Sequence, residues 1–426
     1  MIKVLLFIYN TLAFFIALPL FFILSLFKSK HRKDLFFKFS ERFACIKPFD
    51  AKGKKIVWVH CASLGEVRAA ESIIKVLSGD YFVVLTTITK SGNSYAEKAN
   101  LADLRIILPI DLYPLMRRTI KKIRPAVIVL VETEFWPSML YAAKKSGVKI
   151  VTINGRISEK SFKTYKKTAF LWKPFVSLID FVAARTESDA ERFKYLTAGK
   201  SKIFVTGNIK YDRDFIKTAF GKDYGVAEDD IIFTAGSTRS GEEEIIADAY
   251  LQIAKNTPKI KAFIAPRHLN RIEEVKKILS QKNIAFSLLS EIQNSKVKIE
   301  KVIIVDVFGK LQDIYSISNF CFVGGSLVNK GGQNPVEPAG FAKPVLFGES
   351  MGNFAEEAKI LIAYNGAFVV KNASDIAEKI QTLINNSELA ATTGENALEA
   401  VKSQRGALKT TIDKLNGIIN ETENNR

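Results

Sequence analysis

Residues 323–354 read VGGSLVNKGGQNPVEPAGFAKPVLFGESMGNF. An apolar strand ends at Cys321–Val323, and a loop carrying Gly324, Gly325, Gly331 and Gly332 follows it. Gln333–Pro338 opens a helix, and Pro344–Phe347 forms a second strand. Glycines at a strand-to-helix crossover let backbone N–H groups come close to a ligand. The N-terminus of the following helix favours an anion. Glu337 stands about one turn into that helix, placed to grip a ribose diol. A strand–glycine loop–helix–strand unit is the nucleotide-binding half of a doubly wound sheet. Paired glycines are also common in ordinary loops, so this stretch alone leaves nucleotide binding open. It contains neither G-x-G-x-x-G nor G-x-x-x-x-G-K-[ST], which disfavours NAD binding and P-loop chemistry.

Outward from this stretch, short β-rich runs alternate with helical ones. Ile56–Val59, Tyr81–Leu85, Arg105–Leu108, Val127–Val131, Lys149–Ile153, Phe181–Ala183 and Ile203–Val205 are expected strands. Ile231–Thr234, Ala262–Ile264, Val302–Val305, Phe320–Val323, Val345–Phe347 and Ala367–Val369 form a second set. This alternation predicts an α/β chain with parallel sheets. The polar, glycine-containing stretch Gly207–Asp230 is the expected linker. Residues 29–210 and 211–426 are then two Rossmann-like domains facing across a cleft, the second closed by helices over Ala373–Asn420. Glu421–Arg426 is expected to fray.

The N-terminal run Val4–Phe27 is nearly continuously apolar, interrupted mainly by Asn10, Thr11, Pro19 and Ser25. It is long enough for the about 20 residues a spanning helix needs. Lys28, Lys30, His31, Arg32 and Lys33 follow at once, while only Lys3 precedes. Residues 1–28 are therefore expected to be a membrane anchor with the rest of the chain cytoplasmic. A cleavable signal peptide is disfavoured by the basic flank and the lack of an A-x-A site. Whether the anchor spans or lies in the interface stays open. Ser29–Arg42 mixes basic and aromatic residues and suits anionic lipid, or is a solvated basic linker.

The chain has 426 residues and a net charge of +18. Such a charge points to a polyanion: nucleic acid, an anionic membrane face or an acidic substrate. The 3 cysteines are too few and too scattered for a disulfide framework. The 3 histidines show no metal-ligand spacing.

Several strand ends carry chemistry. His60–Glu66 follows the first strand, and Glu66 is either a base for a hydroxyl or a charge complementing its helix. Glu132 and Glu134 follow Val127–Val131, at i and i+2 on one side of the strand end. One is a candidate for catalysis and the other for structure, or both cap the helix begun by Pro137. Arg156 and Lys210 are strand-end cations suited to carboxylate or phosphate groups. Ala235–Thr238 offers backbone amides to a phosphate. Arg267 suits a charged nucleotide group, and the turn Asp306–Leu311 suits a base. Taken singly, each of these is as easily an ordinary loop.

Together the motifs resemble one family, the 3-deoxy-D-manno-octulosonic acid (Kdo) transferases of lipopolysaccharide assembly. WVHCASLGE, TTITKSG, ETEFWP, NGRIS, GNIKYD, AGSTRSGEE, PRH, DVFGKL and GGSLVNKGGQNPVEP…GNF stand in the family's order after an N-terminal anchor. The resemblance covers nearly the whole chain. It implies a GT-B glycosyltransferase fold and inverting transfer of Kdo from CMP-Kdo to a lipid A precursor, with neither metal nor cofactor. It also implies a place at the cytoplasmic face of the inner membrane, on an anionic lipid surface, and no nucleic-acid partner. Glu66 matches the family's proton acceptor, and Glu132 and Lys210 match positions assigned to transition-state stabilisation. Pro266 and Arg267, then Phe308, Gly309 and Lys310, then Asn334, Pro335, Val336 and Glu337 match the CMP-binding segments. Gln333 departs from the family, which commonly has His there; Gln keeps donor and acceptor capacity but cannot be cationic. The alternatives are a related transferase using another nucleotide sugar, or a basic protein of membrane surfaces or nucleic acid. The latter lacks RNP, KH and zinc signatures. The number of Kdo residues added and the oligomeric state are not legible.

Overall fold

Two sets of short apolar strands become two parallel sheets in the computed structural model. The structure describes residues 1–19, 23, 36–212, 215, 226–292 and 299–421. The strands are rich in Val, Ile and Phe because helices cover both faces of a parallel sheet. Val57, Trp58, Val59, Ile128 and Val129 are fully buried as a result.

The first sheet comprises β1 (Ile56–His60), β2 (Phe82–Thr87), β3 (Leu104–Ile107), β4 (Val127–Val131), β5 (Lys149–Gly155), β6 (Phe181–Ala184) and β7 (Lys202–Val205). Its order is β3-β2-β1-β4-β5-β6-β7, with every pairing parallel. The second comprises β8 (Ile231–Thr238), β9 (Ile260–Pro266), β10 (Phe286–Leu288), β11 (Val302–Ile304), β12 (Phe320–Val323), β13 (Val345–Phe347) and β14 (Ala367–Val369). Its order is β10-β11-β9-β8-β12-β13-β14, again all parallel. Each order reverses beside its first strand, at β1/β4 and at β8/β12. Open α/β sheets bind ligands at such switch points, beyond the carboxyl ends of the strands. The strand β10 escaped the sequence reading because three residues with a central serine give no periodicity to read.

The chain divides into Met1–Arg213 with Arg405–Arg426, and Asp214–Gln404. An uninterrupted second domain over 211–426 is therefore corrected at both ends. Asp212 belongs to the first unit, where its carboxylate accepts from Gly406 N at 2.6 Å and Leu408 N at 2.7 Å. Helix Ala407–Glu421 buries Ala407, Thr411, Leu415, Ile418 and Ile419. Its apolar stripe joins the cluster of Val57, Val129, Val151, Ile153 and Phe181 on one face of the first sheet. An amphipathic pattern shows that a helix covers a sheet, not which sheet. Of the expected linker, residues 213, 214 and 216–225 lie outside the described residues.

The N-terminal run forms helix Ile2–Leu12 with a π turn over Ala13–Ala17. The remainder of Val4–Phe27, except residues 18, 19 and 23, and residues 29–35 of the basic segment lie outside the described residues. Among the described residues no helix is long and apolar enough to cross a membrane. Two polar residues of the helix, Tyr9 and Asn10, face the protein. Tyr9 OH donates to Asp111 Oδ2 at 3.0 Å. Asn10 Nδ2 donates to Leu6 O at 2.7 Å, and its Oδ1 accepts from Tyr113 N at 2.7 Å. Leu6 is buried, while Val4, Phe7, Ile8, Leu12, Phe14, Phe15 and Ile16 are exposed.

Candidate functional site

At the first switch point, β1 and β4 are neighbours, so the loops after them meet. Ser63 caps helix Leu64–Asp80, its side chain accepting from Glu66 N, and the Glu66 carboxylate reaches back to the residues that open the helix. Ala62 N donates to Glu66 Oε2 at 2.5 Å, and Ser63 Oγ donates to Glu66 Oε1 at 3.0 Å. Two donors thus fix the carboxylate, and each oxygen keeps a further lone pair. Burial, then the charge of Glu134, push the Glu66 carboxyl up to about 7, against the two hydrogen bonds. Complementing the helix and holding a proton are therefore one arrangement, not alternatives. A carboxylate tuned near neutrality is poised as a general base.

Glu132 and Glu134 serve different partners. Glu132 sits at φ +64 directly after β4, a conformation disfavoured for a residue with a Cβ. There it accepts from Lys210 Nζ at 3.2 Å. Glu134 Oε2 accepts from Trp136 Nε1 at 2.8 Å. Neither caps helix Pro137–Lys145, because Asp111 accepts from Ser138 N at 3.0 Å and Met139 N at 2.8 Å. The capping alternative for this pair is thereby corrected. Lys210 lies in the 3-10 turn Ile209–Asp212, anchored by Ile209 N to the buried Asn154 Oδ1 at 3.3 Å. Asn154 too has a positive φ, 51. Arg156 follows β5, and its carbonyl accepts from Thr133 Oγ1. Charge gathers here: burial, then the charges of Glu66, Glu132 and Glu134, push the Cys61 thiol up.

In the second unit the expected anion cradle is already filled. Glu242 is fully buried and accepts from Arg239 N at 2.8 Å, Gly325 N at 2.6 Å, and Ser326 N and Leu327 N at 2.9 Å. Gly324 N donates to Gly236 O at 2.9 Å, Gly331 N to Ser350 Oγ at 3.1 Å and Gly332 N to Gly325 O at 2.7 Å. The glycines answer to shape instead. A Cβ on Gly324 would run into the Thr238 backbone, and Gly332 has φ +72. Glu243 is likewise internal, gripped by Arg271 through bonds of 2.6 and 2.9 Å.

The CMP-binding candidates all follow strand ends of this unit. Pro266 is the buried last residue of β9, and Arg267 is exposed, its N–H donating to Thr238 O at 3.0 Å. Phe308 is 79% exposed beside Gly309, whose φ is 87. An aromatic left in water at a strand-end turn is a face for stacking a base. Lys310 Nζ lies 3.7 Å from Asp313 Oδ2. The helix expected from Gln333–Pro338 is only Val336–Gly340. Asn334 Oδ1 accepts from Val336 N at 3.2 Å, and its Nδ2 lies 3.5 Å from Glu337 Oε1, so these two side chains are together. Pro335 and Val336 are buried and contribute backbone and packing.

A surface depression of about 420 Å³, lined by Lys144, Lys149, Asp180, Lys200 and Lys202, lies at the opposite end of the first sheet. Lys149, Phe181 and Lys202 start their strands, and Asp180 pairs with Lys144 and Lys149.

Residues 38–213 match the model of the family 3-Deoxy-D-manno-octulosonic-acid transferase (kdotransferase). The 3-deoxy-D-manno-octulosonic acid transferase of Haemophilus influenzae is 32% identical over 377 residues, which is 84% of this chain and 86% of that protein. The chain belongs to the 3-deoxy-D-manno-octulosonic acid transferase family. A bifunctional glycosyltransferase/methyltransferase of Fusobacterium nucleatum is 33% identical over 348 residues, 79% of this chain. The chain spans 54% of that protein's length. A glycosyltransferase of Rickettsia africae shares the fold at 18% identity, with a TM-score of 0.60, over 88% of this chain and 100% of that one. Both units thus have the GT-B glycosyltransferase architecture.

Within this Kdo transferase family member, sequence reasoning missed three supports of the site. Asp111 starts helix Pro137–Lys145, Asn154 holds the turn bearing Lys210, and Glu242 fills the glycine loop. Of these, only Glu242 left a signal: a carboxylate in the first turn of a helix after a glycine-rich strand end.

Proposed function

We propose that the chain transfers Kdo from CMP-Kdo to a hydroxyl of a lipid A precursor, with inversion and with Glu66 as the base. The observation that carries this is the Glu66 carboxylate, fixed at a switch point and raised to about 7. The acceptor hydroxyl gives its proton to Glu66 as its oxygen bonds to the anomeric carbon. The bond from that carbon to the CMP oxygen breaks, and its electron pair leaves with the phosphate. CMP is a good leaving group, so the donor needs little acid assistance. Glu132 and Lys210, paired at 3.2 Å, present one charge of each sign near the developing transition state. Pro266, Arg267, Phe308–Lys310 and Asn334–Glu337 receive the nucleotide, Phe308 by stacking and Glu337 by the ribose diol.

Attachment to the cytoplasmic face of the inner membrane belongs to the same reading. Helix Ile2–Leu12 turns Tyr9 and Asn10 to the protein and Val4, Phe7, Ile8 and Leu12 outward. It packs beside helix Ala169–Val176, where Phe170 and Leu171 are also exposed. Exposed Lys160, Lys163, Lys166 and Lys167 stand on the preceding helix. An apolar face flanked by lysines favours the interface of an anionic bilayer. That arrangement supports a helix lying in the interface over one that spans.

The test is mass spectrometry of a reaction with CMP-Kdo generated in situ and tetraacyl lipid A precursor. A product heavier by one or more Kdo units with wild type, absent with Glu66→Gln, is expected. Product from both variants would move the base to Glu132. No product from either folded protein would mean a different donor or acceptor.

A further inference from the structure

His60 is fully buried at the end of β1, yet among the described residues its Nε2 has no hydrogen-bond partner. That nitrogen points at Glu134 Oε2, 3.7 Å away. The other nitrogen, Nδ1, lies 2.9 Å from Thr86 Oγ1, which also accepts from Trp58 Nε1 at 2.9 Å. This chain of bonds favours one tautomer. Trp58 can only donate, so it takes one lone pair of the Thr86 hydroxyl. The hydroxyl proton then goes to His60 Nδ1 or to Val59 O, which lies at the longer 3.5 Å. Donation to Nδ1 puts the imidazole hydrogen on Nε2, facing the carboxylate. The reverse tautomer would set a bare lone pair against that carboxylate in a buried place.

Glu134 has no capping duty, and its other partner is Trp136 Nε1. Its side chain is 16% exposed. Among the charged neighbours of Glu66 it acts most strongly, ahead of Glu132. The ionisable groups sharing this pocket are Cys61 after β1, Glu132 and Glu134 after β4, Lys210 paired with Glu132, and Tyr165 of helix Glu159–Lys167, which feels Glu134.

We propose that His60 and Glu134 are positioning residues: His60, oriented by Thr86, holds the Glu134 carboxylate in place from 3.7 Å, and Glu134 in turn acts on Glu66. Neither touches substrate. A negative charge beside a carboxylate disfavours its ionisation, which makes that carboxylate the better proton acceptor near neutral pH. This inference rests on Glu66 being the base, and it adds the machinery that makes Glu66 effective.

Two readouts separate the claims. The first is the infrared carboxyl titration of Glu66, isolated as the difference between wild type and Glu66→Gln, which needs no turnover. The second is the pH profile of transfer. In Glu134→Gln, the Glu66 titration and the acid limb of kcat/KM should both move down by about one pH unit, while Glu134→Asp keeps them near wild type. His60→Phe removes the group that holds the Glu134 carboxylate in place, so the limb moves the same way. His60→Gln, which restores an N–H, should return it. If Glu134→Gln fails to fold, the His60 pair reads the same coupling. An unmoved Glu66 titration in Glu134→Gln, or in His60→Phe where that is the readable variant, overturns the proposal even if Glu66 is the base. If Glu66→Gln still transfers, the base assignment fails, while the infrared titration still decides whether His60 and Glu134 govern Glu66.

Discussion

At the residue scale, Glu66 carries an energetic burden as well as a role. Its folded carboxyl titrates near 7 against an ordinary 4.5. The folded state therefore binds this proton more tightly than the unfolded chain. Stability falls as pH rises from about 4.5 to 7, and the loss persists above that range. Gln keeps an acceptor for Ala62 N and a donor to Ser63 Oγ without the charge. Glu66→Gln should thus lose transfer yet melt higher at pH 8, by about 1–3 kcal/mol, with the gain vanishing below about pH 4.5. Thermal melts of both proteins across that range test the sign. The roles of single residues were only half legible in the sequence. The residues alone left Glu66 as a base or a helix complement, and only the family resemblance chose the base. Asp111 did not stand out, because it acts on residues 27 and 28 positions away, and such separation leaves no local pattern.

At the element scale, loops and caps behave as units. Glu242 holds four backbone amides, so Glu242→Ala would leave them buried without an acceptor. The expected cost is about 3–5 kcal/mol, seen as a lower melting temperature and weaker CMP binding by calorimetry. Glu242→Gln, which keeps one oxygen, should fall between. Helix Ile2–Leu12 makes a parallel case. Asp111→Ala removes the acceptor for Tyr9, Ser138 and Met139 together. It should cost about 2–4 kcal/mol and expose the helix to limited proteolysis before the rest of the unit. Strands were legible to within a few residues because buried parallel strands are runs of Val, Ile and Phe. The glycine loop was legible as special and misleading as to why. Its glycines predict close backbone approach, and the structure spends that closeness on the chain's own Thr238 and Glu242.

At the scale of the whole molecule, the proposed membrane attachment would draw on the surplus of positive charge and the apolar N-terminal face together. Replacing the exposed Phe7, Phe14 and Phe15 with Ser should weaken binding to anionic vesicles by an order of magnitude or more, since each removes a large apolar contact. Raising salt should weaken the wild type further, because the lysine contribution is screened. Vesicle co-sedimentation at two ionic strengths measures both terms. Replacement without effect on binding would place membrane attachment elsewhere.

The return of the final helix to the first sheet has a consequence for how the chain is made. Synthesis of Asp214–Gln404 takes about 10–40 s at ordinary ribosomal rates. Throughout that interval the first unit exists without the helix that covers Val151, Ile153 and Phe181. The N-terminal half therefore emerges first and is finished last, its exposed sheet face open to chaperones or to self-association. A nonsense codon near residue 405 would then damage the N-terminal unit while sparing the one it directly follows, the reverse of what position along the message suggests.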